Sequence, residues 1–395
     1  MIKAFYATRQ WVLWAYGGGL LLISSLWLQV QMTVALNTWY GQFYDLLQNA
    51  ASYKDNPNEG ITLFLSKLIS LSYVRAGFDG EPSFVVIAFP YILLAIFTAW
   101  FTRIYGLRWR EAITFNYVPR WRSVEQEIEG ASQRIQEDCN RFARIVESLG
   151  LQIVRAIMTL IAFIPVLYGL SDKVDVPVLR DIEGSLVWGA LIVSLGGLVI
   201  SWFVGWKLPG LEYNNQKVEA AFRKDLVLGE DDKANHADPI ALRGVFGGIR
   251  YNYHRLYLHY GYFDAWVSTY DQFMVVVPYL IMGPGLFTGA LTLGVMVQVS
   301  NAFGKVHGSF SLFLHNWTTI TELRAIWKRL HEFENNLDRY AVPALAYRGS
   351  LRRRFRLQQV HYLLLILLRA TWGVPRDKSG YRSRNGRGFR PETVR

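Results

Sequence analysis

The sequence predicts an all-α integral membrane protein, and three observations carry that reading. The 395 residues are 51% hydrophobic and 15% aromatic but only 18% charged, an apolar excess that places the chain outside the usual soluble class. Fourteen Trp and twenty-two Tyr suit two membrane–water interfaces, where amphipathic rings collect. The stretch 121–167 joins a polar amphipathic helix to a run apolar enough to enter lipid. Its first half repeats Ile128, Ala131, Ile135, Phe142, Ile145 and Leu149 near helical spacing, with Glu129, Glu137 and Glu147 between them. No proline interrupts this stretch before Pro165, so one helix over 125–164 is expected, about 60 Å long and about twice the hydrocarbon thickness.

In chain order, the first apolar run, 11–36, is too long for a signal peptide and long enough to span. Gln31 and Asn37 are polar intrusions at its exit. The segment 61–73 is too short and interrupted to span, and reads as interfacial or a partial helix. Further spans are expected at 84–105, 151–170, 185–206, 265–282 and 286–303, the fifth carrying Asp271 and Gln272. Pro209–Gly210 breaks the chain after the fourth span, and a helix restarts with Glu212, Asn215, Glu219 and Phe222 on one side. The run 251–266 is dense in aromatic residues and His, and 310–337 reads as a last helix ending in a basic turn.

Charge orients these elements. Arg103, Arg108, Arg110, Arg120 and Arg122 follow the second span; Lys207, Lys217, Arg223 and Lys224 follow the fourth; Lys305, Arg324, Lys328 and Arg329 follow the sixth. The connection 171–184 is net negative. By the positive-inside rule both termini and the long connections 106–150 and 207–263 are cytoplasmic. The net charge of +11 belongs wholly to 341–395, where twelve Arg and one Lys face Asp377 and Glu392. A nucleic-acid reading of the pI of 9.6 therefore fails for the body, and the tail reads as basic and disordered.

Several chemistries find no motif. The 395 residues hold no G-x-x-x-x-G-K-[ST], so no ATPase is expected; GPGLFTG at 283–289 reads as a tight turn between two spans. His254 and His259 lack metal-ligand spacing, and no metal or cofactor is expected. Cys139 has no His near it in sequence, and no G-x-S-x-G occurs, so enzyme chemistry is unsupported.

The acidic residues leave two readings. Glu129, Glu137, Glu147, Glu212, Glu219 and Glu230 form either solvated faces paired with Arg134, Arg141, Arg144, Lys217 and Arg223, or a carboxylate ladder in a water-filled cavity. In such a cavity desolvation makes protonation usable near neutral pH, and the field attracts cations. The aromatic run at 251–266 divides likewise, between interface anchoring and substrate stacking.

Several colinear blocks resemble the SbmA/BacA-like peptide antibiotic transporters. They are WYGQFYDLLQ (39–48), IEGASQRIQED with RAIMTLIAFIPVL (128–167) and KLPGLEYNNQKVEAAFRKDLVLGEDD (207–232). NYHRLYLHYGYF (252–263) and NAFGKVHGSF with NWTTITELRAIWKRLHEFE (301–334) continue the series, which covers about residues 35–338. The resemblance implies a homodimeric inner-membrane importer with the transmembrane domain of an ABC exporter, no nucleotide-binding domain, and long helices extending into the cytoplasm. It implies a proton-gradient drive, and peptide substrates such as proline-rich antimicrobial peptides, microcins and bleomycin-like compounds. It also implies the ladder reading for the six glutamates, with Phe142, Asn215 and Phe222 as candidate cavity residues. Residues 1–340 then form one polytopic transport domain of about six spans. Three departures stand out: only about 36 residues precede the WYGQFYDLL block, 51–82 is expanded and interrupted, and the tail after Tyr340 matches nothing in the family. The competing expectations are the membrane subunit of an ABC transporter with a separate ATPase, and a scaffold or receptor that does not transport.

Overall fold

A computed structural model describes residues 1–128, 130–173, 181–233 and 237–340. The tail 341–395 and Glu129 lie outside the described residues. Helices alone make up the regular structure among the described residues. Helix α1 is the short Ile2–Tyr6 and α2 runs Leu13–Gln48; α3 is Pro57–Ile69 and α4 is Phe84–Arg122. Then come α5, Ala131–Ser171, α6, Ser185–Gly205, and α7, Leu208–Asp231. Helix α8 spans Pro239–Phe287, followed by α9, Leu293–His315, and α10, Trp317–Arg339.

Four of these stretches are long and apolar enough to cross a membrane: Leu13–Gln48, Phe84–Arg122, Ala131–Ser171 and Ser185–Glu230. Their outward faces agree. Leu20, Ile23 and Leu28 on α2, Phe89, Leu93, Ile96 and Trp100 on α4, and Ile192, Val199 and Phe203 on α6 are all exposed. In water so much contiguous apolar surface is costly, whereas in lipid it is the matched face. The fifth expected span, 265–282, falls within α8, but the sixth, 286–303, does not match a helix: it straddles the turn after Phe287, because α9 begins only at Leu293. Both helices mix apolar residues with polar ones, Asp271 on α8 and Lys305 and His307 on α9.

Two hydrophobic cores hold the helices. One gathers Phe163, Leu167, Leu186, Ala190, Met282, Val299, Phe303 and Val306 from the apolar parts of α5, α6, α8 and α9. The other is aromatic and joins the polar ends of α4, α5 and α10 to α1. There Phe5 stacks on Trp109 at 5.4 Å, Trp109 meets Phe142 edge-on at 5.9 Å, and Tyr117 meets Phe333 at 5.4 Å. Asp138, 1% exposed, ties the same region together. It accepts from Arg134 at 2.9 Å on its own helix, and from Arg329 of α10 through both carboxylate oxygens at 3.1 and 2.7 Å. Those bonds raise the Arg329 pKa above its usual value.

Some boundaries differ from expectation. Helix α5 begins at Ala131, not at 125, because Gly130 sits at φ +70°, a left-handed conformation that starts the helix afresh. GPGLFTG is not a tight turn at its proline: α8 runs through Pro284 to Phe287, and the chain turns at Gly289, φ +76°. The segment 61–73 is a helix starting at Pro57 and followed by a single turn, Ser72–Arg75. It packs on α2, where Trp39 Nε1 donates to the Lys67 carbonyl at 2.9 Å. The connection 106–150 is itself mostly helix, shared between α4 and α5.

The WYGQFYDLLQ block closes α2 and caps α9. Gln48 Oε1 accepts from the Leu293 amide at 2.7 Å and Asp45 Oδ1 from the Gly294 amide at 2.9 Å. These are two of the donors a helix start leaves unpaired. Gly294 lies so close to α2 that a Cβ there would run into the Gly41 carbonyl.

Two outcomes follow. Gly294→Ala forces these backbones apart and should destabilise the protein by about 1–3 kcal/mol, while Gly304→Ala, whose Cβ meets open space, should be neutral; thermal unfolding in detergent compares them. Asp138→Ala strands two guanidinium groups and should cost about 3 kcal/mol in the same assay, with Arg329→Lys costing less because one charge remains but the fork is lost.

Candidate functional site

The acidic side chains of α5 stand on locally widened turns. The helix opens into single π-type turns at Arg134–Asp138 and Val146–Gly150, which carry Glu137 and Glu147. Such turns shift the register of the residues beyond them and recur at functional positions. Glu137, 38% exposed, pairs with Arg141 at 2.8 Å and accepts from Gln133 at 3.2 Å; Arg141 also reaches Glu322 of α10 at 3.3 Å. Glu147 is half-buried against α4. Its Oε2 would lie 2.6 Å from a Cβ at residue 106, so only Gly106 leaves room for it. Among the described residues Glu147 makes no hydrogen bond or ion pair, and Arg103 and Arg144 are its charged neighbours.

Helix α7 carries the second set. Glu212 is half-buried near Tyr260, while Glu219 and Glu230 are exposed. Asn215, 4% exposed, has an Oδ1 without a hydrogen-bond partner. Phe222 is half-buried and meets Phe246 at 5.8 Å. Helix α7 packs along α8, through Leu208, Leu211 and Leu256, rather than along α5. One protomer therefore does not bring the glutamates of α5 and α7 into a single cluster. Phe142 needs a correction as a cavity residue. It is 1% exposed, wedged between Trp109 and Trp327, and shows no face to an open space.

Other polar groups carry weaker signals in the sequence. Asp138 reads there like its neighbour Glu137, yet it is the buried carboxylate of the pair. Within the apolar part, Gln29 is buried and donates to Thr98 at 2.7 Å, while accepting from Arg155 at 2.9 Å. Ser25 completes that network by a hydrogen bond to Thr98. It links α2, α4 and α5, and Gln29 in an apolar run is the available signal, although Gln31 two residues on carries the same one. Asp271, already conspicuous in the fifth expected span, meets His307 of α9 at 3.1 Å.

The chain can also be set against known proteins. It is 24% identical over 330 residues to the inner membrane ABC transporter ATP-binding protein YddA of Escherichia coli, covering 77% of this chain and 54% of that one. To the chloroplastic ABC transporter D family member 2 of Arabidopsis thaliana it is 27% identical over 319 residues, 78% of this chain and 41% of the relative. The chain thus spans about half the length, or less, of the curated relatives it matches. These relatives and the four long apolar helices support a membrane transporter. The SbmA/BacA-like family matches residues 8–338, most of the chain, and the protein belongs to that family.

Proposed function

We propose that this protein is a proton-gradient-driven importer of peptides and peptide antibiotics in a bacterial inner membrane, working as a homodimer. The observation that carries the reading is α5: one helix of a family transporter takes Glu137 and Glu147 on widened turns from a polar end towards an apolar span. In the mechanism, cavity carboxylates take protons from the side of higher proton activity. Neutralised, they no longer repel one another across the dimer, so the two halves close on that side and open inward. The peptide moves with that change, and the protons leave inside. Glu219 and Glu230, exposed on the α7 of one protomer, suit a role facing a second copy or the cavity between copies. Substrates of this class include proline-rich antimicrobial peptides, microcins and bleomycin-like compounds.

A second reading has its own support. The relatives named above are ABC transporter proteins about twice as long as the matched region or longer, which favours a membrane half that works with an ATPase. Both readings meet the same experiment, uptake of a fluorescent proline-rich peptide into proteoliposomes. Accumulation under an imposed proton gradient without ATP, collapsing with a protonophore, supports the first; accumulation that needs ATP and a second protein supports the second.

Within the first reading, Glu137→Gln and Glu219→Gln should abolish accumulation while leaving expression and dimer intact. The exposed Glu137–Arg141 pair contributes at most about 1 kcal/mol, so loss of uptake at Glu137→Gln reports coupling rather than unfolding. Unchanged uptake in both variants removes these carboxylates from the mechanism.

A further inference from the structure

Helix α9 carries His307, Ser311 and His315 at i, i+4 and i+8, one polar stripe on an otherwise largely apolar helix. The stripe borders a cavity of about 390 Å³ whose other polar lining includes Asp271 of α8, Gln152 of α5 and Asn316. At its inner end His307 Nε2 lies 3.1 Å from Asp271 Oδ1, and Ser311 Oγ lies 3.2 Å from Nε2 and 3.4 Å from Nδ1. Tyr270 packs its ring edge-on against the imidazole at 5.0 Å and anchors its hydroxyl on the Val193 carbonyl of α6 at 3.0 Å. Gly197 makes that possible, since a Cβ there would strike the Tyr270 ring. The imidazole is 13% exposed, so it is held against Asp271 rather than free to rotate into bulk solvent.

We propose that the His307–Asp271 pair and the Ser311–His315 stripe form a proton site distinct from the glutamates, a relay from the apolar core to the polar end of α9. It rests on the proton-driven reading of transport. The Nε2–H donates to the Asp271 carboxylate, which fixes the tautomer and leaves Nδ1 to accept a proton. Protonation converts a carboxylate beside a neutral ring into an ion pair of no net charge, a state that the largely apolar surroundings of α8 and α9 tolerate better. The proton leaves Nδ1 by way of Ser311 and His315 to the water-accessible end at Asn316, and His307 returns to its neutral tautomer. Because the partners belong to α8 and α9, each loading strengthens the tie between those helices, and each release loosens it.

The charged surroundings are few. From α8 come Asp271 and Tyr270, and from α9 itself His315 on the same stripe. Lys305 points to the opposite side of α9, towards Arg155 of α5, which is engaged by Gln29 of α2. Helix α6 contributes no titratable side chain.

The test uses the full chain in proteoliposomes, with two readouts. His307→Gln should lose gradient-driven accumulation of a labelled proline-rich peptide but keep peptide exchange at equal concentrations; His315→Gln should flatten the pH profile and keep some accumulation. In the second readout, ring-nitrogen NMR of histidine-labelled protein should show one titrating signal that is absent in His307→Gln and displaced in Asp271→Asn. Asp271→Asn also serves if His307→Gln misfolds, since it keeps the hydrogen bond and removes the charge. The relay is overturned if folded His307→Gln or Asp271→Asn accumulates peptide with the wild-type pH profile, or if the His307 ring does not titrate. No gradient-driven uptake by the wild type overturns the import reading instead, and the proton site then stands or falls on the ring signal alone.

Discussion

A helix that crosses lipid and continues beyond it must change partners at the edge of the bilayer, and this constraint orders the structure. Helices α4 and α5, at 39 and 41 residues, are about twice what the hydrocarbon core needs. In the lipid part apolar faces gain nothing from leaving solvent, so packing relies on close approach: Gly294 against Gly41, Gly197 under the Tyr270 ring. Beyond it water returns, and with it the drive to bury rings. The aromatic core forms there, with Trp109, Tyr117 and Phe142 from α4 and α5 meeting Phe5 of α1 and Phe333 of α10. Two cores of different chemistry are thus the consequence of helix length.

Polar groups follow the same division. In the aromatic region a full charge is held by full charges, and Asp138 sits between Arg134 and Arg329. In the apolar part α2 and α4 are linked by neutral side chains, Ser25, Gln29 and Thr98, and α5 joins them through the Arg155 guanidinium, which donates to Gln29. Neutral hydrogen bonds satisfy their donors without the desolvation cost of an ion, which is why they belong where water is scarce. Asp271 and His307 form a further charged pair there, and both line one open groove with Gln152, Ser311 and Asn316.

What was legible in the sequence was periodicity and apolar length. Those properties act locally, and so the helices over 84–105, 151–170 and 185–206 fall where hydropathy puts them. What was not legible depends on pairing across the chain. Asp138 and Glu137 are adjacent, and nothing local says that the first faces inward to Arg329, 191 residues away, while the second faces out to Arg141. Phe142 looked like one more residue of an amphipathic stripe, and only the arrival of Trp109 and Trp327 from other helices makes it core. The start of α5 depended on one backbone angle at Gly130, which apolar periodicity does not encode.

The widened turns of α5 bear on how such a helix could move. A π-type turn holds one residue more than its neighbours, and moving that excess along the helix rotates everything beyond it. Glu137 and Glu147 stand on the two turns, and the Arg329–Asp138 bonds grip the helix at the end of the first. A charge change at either glutamate therefore acts where the backbone resists least, between a segment pinned to α10 and a segment embedded in the apolar core. Whatever supplies the energy, it must enter a long helix at a compliant point to alter the far end, because the regular turns between are too stiff to absorb it. That argument applies equally to a proton arriving at a carboxylate and to a force arriving from a partner domain, and it makes α5 the element on which the two readings of this family member converge.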